Sequence, residues 1–219
     1  MSLNSIIAAN QPVPRPKKTK AGAKIAADLS ALSSYQFGEG EVLAFDQALT
    51  NTGFVHLQAG PDLVQYEGQP LKLAAREYYK YAASEDDPTG ALLTLKKTAA
   101  LARWMERVLR VHSPVRTVVY EMPVVAGHRT ESILLGAYAL FEACRNTNRP
   151  EPICVNNQHA KRVIVGQVRG ATKHDVKGAV NAFVPDWMRV GSTQPWNEHV
   201  IDATLLGMTW LYENRGDQA

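Results

Sequence analysis

Short apolar runs bounded by turn residues fill the first part of the chain, and longer stretches with helical spacing follow. Val42-Leu43-Ala44-Phe45 is an apolar run between polar residues and reads as a buried strand. Asp46 ends it, and Gln47 to Gly53 forms a polar turn before Phe54 to Leu57 resumes strand character. Phe54–Gln58 and Asp62–Tyr66 read as a strand pair around Gly60-Pro61, so the sheet begins as a meander. Leu71–Tyr81 fits a third strand or a short helix. Ser84 to Gly90 is a loop, whose acids sit beside Pro88 and Gly90 in an exposed turn. Ala91–Val111 is a helix, with Leu92, Leu95, Ala99, Ala102, Met105, Val108 and Leu109 at helical spacing and Pro114 closing it. Thr117–Glu121 is a β-branched strand. Ser132–Arg145 is a helix with Ile133, Leu134, Ala137, Leu140 and Phe141 on its apolar side. Pro152–Val155 is a short strand, Asp186–Pro195 a polar loop, and Asn197–Tyr212 the last helix.

Two of these strands deliver a carboxylate at their C-terminal end, Asp46 and Glu121. A buried carboxylate is costly unless a cation, a basic partner or backbone N–H groups compensate its charge. Alone, Asp46 reads as a strand-ending residue that caps its own turn, and Glu121 as a surface acid. Together they mark a candidate site, because ligands of open α/β sheets bind at that edge. The last helix opens Asn-Glu-His-Val-Ile-Asp-Ala, which puts His199 and Asp202 one turn apart, with Glu198 four residues before Asp202. Polar groups at the start of an otherwise apolar helix fit a metal cluster better than a solvated cap. Between the last strand and this helix, Lys161, Arg162, Arg169, Lys173 and Lys177 crowd one segment. It reads either as a solvated helix–turn–helix surface or as a phosphate-contacting patch, with Gly166 and Gly170 permitting close backbone approach. His128 and Arg129, after the second acidic strand, are further candidates for DNA contact.

Composition narrows the class. The chain has 219 residues, 45% of them hydrophobic, which suffices for one sizeable core. The net charge of +3 permits a polyanionic partner without demanding one. Residues 1–38 read as a basic arm; Arg15, Lys17, Lys18, Lys20 and Lys24 all precede the first acid, Asp28. An organellar transit peptide shares that composition. The two cysteines, Cys144 and Cys154, have no metal-ligand spacing and suggest a reducing compartment. With no run of transmembrane length and no secretory signal, the expectation is a cytoplasmic protein of a bacterial or phage-infected cell without a membrane partner, an organellar matrix being the alternative.

In this order, AFDQALTNTGF, VVYEMP, SILLGAYALFEA, KRVIVGQVRGATKHDVKGAV and NEHVIDA resemble the motifs of the RuvC family of Holliday-junction resolvases, within the RNase H-like nuclease superfamily. The resemblance runs from about Val42 to Leu211. It implies an α/β fold with a mixed five-stranded sheet flanked by helices, occupying residues 39–219. It also implies metal-binding acids at Asp46, Glu121 and Asp202, with His199 where the family often has a further Asp and Glu198 the alternative ligand. The two lysines that contact the scissile region fall on Lys161 and Lys173, and Lys173 is counted with the catalytic set. Gln47-Ala48 replaces the family's Pro-Gly. Met122-Pro123-Val124-Val125 stands where a wedge aromatic is expected.

The implied activity is metal-dependent endonucleolytic resolution of four-way DNA junctions by paired symmetric nicks in a homodimer. Two Mg²⁺ ions about 3.5–4 Å apart, with Mn²⁺ substituting, would serve phosphodiester hydrolysis. Asp46 and Glu121 would hold one ion, and Asp46, Asp202 and His199 the other. The missing wedge keeps open a broader debranching nuclease acting on forks, flaps or Y-junctions. A kinase-like phosphotransferase shares a strand Asp and a Thr-Gly turn but needs two domains. A catalytically dead junction binder would not need the full ligand set.

Overall fold

The computed structural model of the chain describes residues 37–60, 71–123, 130–166, 171–183 and 197–214. Its strands are β1 (Gly40–Asp46), β2 (Asn51–Ala59), β3 (Leu71–Lys80), β4 (Val118–Glu121) and β5 (Ile153–Val155). Its helices are α1 (Gly90–Val111), α2 (Thr130–Asn146), α3 (Asn157–Val165), α4 (Lys173–Phe183) and α5 (Glu198–Glu213). The strands form one mixed sheet in the order β3-β2-β1-β4-β5. β1, β2 and β3 are an antiparallel meander, and β4 and β5 continue the sheet parallel to β1. This is the α/β architecture anticipated from the sequence.

Alternation along the strands divides the core. Val42 and Ala44 of β1 and Val119 of β4 pack with α3, α4 and α5 on one face. Leu43 and Phe45 of β1 and Val118 and Tyr120 of β4 pack with α1 and α2 on the other. Carried one step further, the same period turns Asp46 and Glu121 toward the α5 face. Phe45 and Phe54, directly opposed across β1 and β2, hold their rings 5.0 Å apart and fix this register from the far face. α5 is apolar nearly all round, as a helix laid across the centre of a sheet must be. Asn197 caps it, its side-chain oxygen accepting from the His199 N–H at 2.9 Å.

Several expectations need correction. The polar turn after Asp46 spans only Gln47 to Thr50, because β2 already begins at Asn51. Leu71–Tyr81 fits a strand or a helix by its sequence, and the structure bears out the strand: β2 pairs with β1 on one side and with Leu71–Lys80 on the other. α1 buries Thr98, Leu101, Met105, Val108 and Leu109, whereas Leu92 and Leu95 are 65% and 64% exposed. The stripe drawn through Leu92, Leu95 and Ala99 is therefore a different face from the one that meets the sheet. On α2 the buried face runs through Gly136, Ala137, Leu140, Ala143 and Cys144, with Leu134 outside it. The expected strand Asp62–Tyr66, the loop 186–195 and the N-terminal arm up to residue 36 lie outside the described residues. Among the described residues, no helix is long and apolar enough to cross a membrane.

Candidate active site

β1 and β4 are parallel neighbours in the register Phe45 to Tyr120, so Asp46 and Glu121 end side by side. α5 starts directly above them, and Gly53 is the reason it can. Gly53 pairs with Asp46 across β1 and β2. A Cβ at Gly53 would lie 2.1 Å from the His199 carbonyl oxygen and 2.5 Å from the Val200 nitrogen. The Thr-Gly of the first motif is thus a packing device. Thr52 donates its hydroxyl to the Ala48 carbonyl at 2.9 Å and closes the turn, while Gly53 admits the helix backbone.

Asp46, Glu121, His199, Asp202 and Lys173 line one open cavity of about 630 Å³, together with Gln47, Asn157 and Glu198. His199 Nδ1 donates to Asp46 Oδ2 at 2.7 Å, and its ring lies parallel to that of Tyr78 with centroids 6.0 Å apart. The hydrogen bond to Asp46 outweighs burial and raises the affinity of His199 for a proton. Burial, then the adjacent Asp46 carboxylate, pushes Glu121 up to about 7, although the Asn157 amide donates to it at 2.9 Å. Burial and the charge of Asp46 push Asp202 up to about 6, opposed by Lys161 and His199. The carboxylates therefore destabilise one another's ionised forms.

That arrangement suits a divalent cation. The donors are mostly hard oxygens, their mutual repulsion is what a bound positive charge relieves, and Asn157 Oδ1 is buried with no hydrogen-bond partner among the described residues. The groups converge on the cavity without forming a closed cage; among the described residues, no three His, Cys, Asp or Glu side chains already stand in metal-holding geometry. Of the two alternatives for a fourth ligand, His199 turns to Asp46, while Glu198 ion-pairs with Lys173 at the exposed rim.

The other basic candidates divide. Lys161 joins Lys173 in a smaller adjoining cavity, and Arg162 is exposed on α3 and lines neither cavity. His128, Arg129 and Arg169 lie outside the described residues. Three contributors were not anticipated. Gln47, only 1% exposed, donates Nε2 to the Glu121 carbonyl at 2.8 Å and accepts the Glu121 N–H at 3.1 Å, tying the ends of β1 and β4 together. Asn157 follows the end of β5, so the strand-end rule that flagged Asp46 and Glu121 also pointed to it. Tyr78 sits on β3, and nothing in its spacing signals the ring contact.

A central β1 with parallel neighbours on one side, an antiparallel meander on the other and a helix crossing the sheet defines the RNase H-like fold, in its RuvC-like form. RuvC of Thermus thermophilus, solved in complex with a Holliday junction substrate, superposes with a TM-score of 0.63 at 17% identity, over 83% of this chain and 98% of that one. A second structure of the same organism's RuvC gives 0.61 at 16%, over 82% and 98%. The yeast mitochondrial Holliday junction resolvase Ydc2 gives 0.54 at 11%, over 89% and 86%. By sequence, no family model matches and no curated protein matches.

Proposed function

We propose that the chain is a metal-dependent, structure-specific endodeoxyribonuclease that resolves four-way DNA junctions by paired symmetric nicks. The observation that carries this reading is the convergence of Asp46 and Glu121, at adjacent parallel strand ends, with His199 and Asp202 of α5 in one lysine-flanked cavity. The similar structures are of Holliday junction resolvases, which supports the substrate class.

Two Mg²⁺ or Mn²⁺ ions would supply an ionised water and neutralise charge on the attacking and leaving oxygens. Asp46 and Glu121 would hold one, and Asp46, Asp202 and His199 the other. His199 Nδ1–H donates to Asp46, so the two share an ion only once that hydrogen bond is given up; while it stands, Nε2 is the nitrogen that can take or pass a proton. Gln47 and Asn157 fix Glu121 from its backbone and its carboxylate respectively. Lys173 would offset the negative charge that develops on the phosphate. It first exchanges Glu198 for that phosphate, and since exposed ion pairs contribute little, the exchange is easy. Two symmetric cuts require two such sites, hence a C₂ homodimer.

One observation keeps a broader debranching activity as the second reading. Met122 is 39% exposed just past Glu121, where a junction-opening aromatic would be expected. A flexible thioether is a weaker wedge than a ring. The test offers a mobile four-way junction, a Y-fork and a linear duplex with and without Mg²⁺, alongside Asp46→Asn. Paired nicks in the junction alone support the resolvase, and cutting of forks as well supports the debranching enzyme. Asp46→Asn is expected to lose cleavage by at least about 10³-fold while still binding the junction. Retained cleavage removes Asp46 from the site.

A further inference from the structure

Beside the acidic cavity lies a second, smaller one of about 270 Å³ between α3, α4 and α5. Lys161 reaches it from α3, and Lys173, His174 and Lys177 from α4. Lys173 and Lys177 are one turn apart on the same helix face. The first turn of α4 has its acid pointing away: Asp175 is 4% exposed, and its Oδ2 accepts from the Thr172 N–H and hydroxyl, both at 2.8 Å. That inward cap leaves Lys173 and His174, both exposed, facing outward. The two cavities share Lys173, Glu198 and Asp202 as a common wall.

We infer that this smaller cavity is a second phosphate site, which seats the phosphodiester next to the one being cut, with Lys177 and His174 as its own contacts. The inference rests on the nuclease reading above. The cavities adjoin, so a strand with one phosphate over the carboxylates brings a neighbouring phosphate to the basic wall. Ammonium groups from two helices suit a tetrahedral anion approached from several sides, whereas a planar carboxylate is better met by a single guanidinium fork. The shared wall also gives Glu198 a part. It holds Lys173 between the two cavities, so a strand that displaces it frees one lysine toward both phosphates.

The test is Lys177→Ala on the full chain, with Arg110→Ala on the opposite face of the sheet as the control and melting curves for all proteins. Junction binding is measured against salt, and then on junctions carrying a single methylphosphonate at each phosphate flanking the cut. The expected result is an unchanged melting temperature, about fivefold weaker binding at low salt and a salt slope shallower by about 1. One neutralised phosphate beside the cut should weaken the wild type by a similar factor and leave Lys177→Ala unaffected. Equal sensitivity of both proteins at every position, or wild-type affinity for Lys177→Ala, overturns the inference while leaving the nuclease intact. Failure of the wild type to bind branched DNA removes both.

Discussion

The pair Asp46 and Glu121 stores unfavourable charge in the ion-free protein, and this sets a pH dependence. Glu121 titrates near 7 when folded against an ordinary 4.5, so the folded state holds its proton more tightly than the unfolded chain. The stability this contributes is fully present below about pH 4.5 and is lost as pH rises through about 7. Asp202 adds a loss of the same sign as pH rises through about 6. In EDTA, the protein is therefore expected to melt lower at pH 8 than this site would allow at pH 5. Glu121→Gln removes a buried charge together with its repulsion by Asp46 and should raise the melting temperature at pH 8 by on the order of a few degrees, while abolishing cleavage. Scanning calorimetry of both proteins at the two pH values checks it. A variant that melts no higher at pH 8 would show that the carboxylates do not strain the fold. At this scale the sequence was partly readable. Asp46 and Glu121 stood out because an acid that ends an apolar run needs a reason. Gln47 did not, because its two bonds to the Glu121 backbone depend on a register 74 residues away that local spacing does not encode.

Among the elements, the contact of β2 with the start of α5 couples the motifs most tightly. An added methyl at Gly53 meets helix backbone, which has no flexible end to yield. Gly53→Ala should cost about 1–3 kcal/mol of stability and displace His199 from Asp46, lowering cleavage by more than about 100-fold. Gly60→Ala, where an added Cβ meets nothing within 4 Å, is the control. Nicking assays and melts of the two variants are the check, and wild-type cleavage by Gly53→Ala would show that α5 tolerates a lifted start. Most strand and helix types were legible because β-branched runs and helical spacing are strong local signals, but Leu71–Lys80 is made a strand only by its pairing with β2. Which face of a helix is buried was less so. α1 carries apolar residues on two stripes, and only the sheet selects Leu101 and Met105 over Leu92 and Leu95.

For the whole molecule, the chain brings Asp46, Glu121 and Asp202 into one cavity, and the proposed resolution of a four-way junction needs two cuts. The protein is expected to sediment as a dimer. Dimers mixed from wild-type and Asp46→Asn protomers should nick only one strand and leave junctions unresolved, as seen on denaturing gels. Paired cutting by such hybrids would show that one site serves both strands. The architecture was readable from the order of its motifs. The charge partition between the two cavities was not, because Lys161, Lys173, Lys177 and Glu198 come together only when α3, α4 and α5 pack.

The placement of α5 bears on how genetic variation in this protein would be read. The helix that offers His199 and Asp202 to the cavity also fills the centre of the core with Ala203, Leu205, Leu206 and Met208. A missense survey scored only by growth would colour this helix uniformly intolerant. It would not separate the alleles that remove a cavity-lining group from those that merely unseat the helix carrying it.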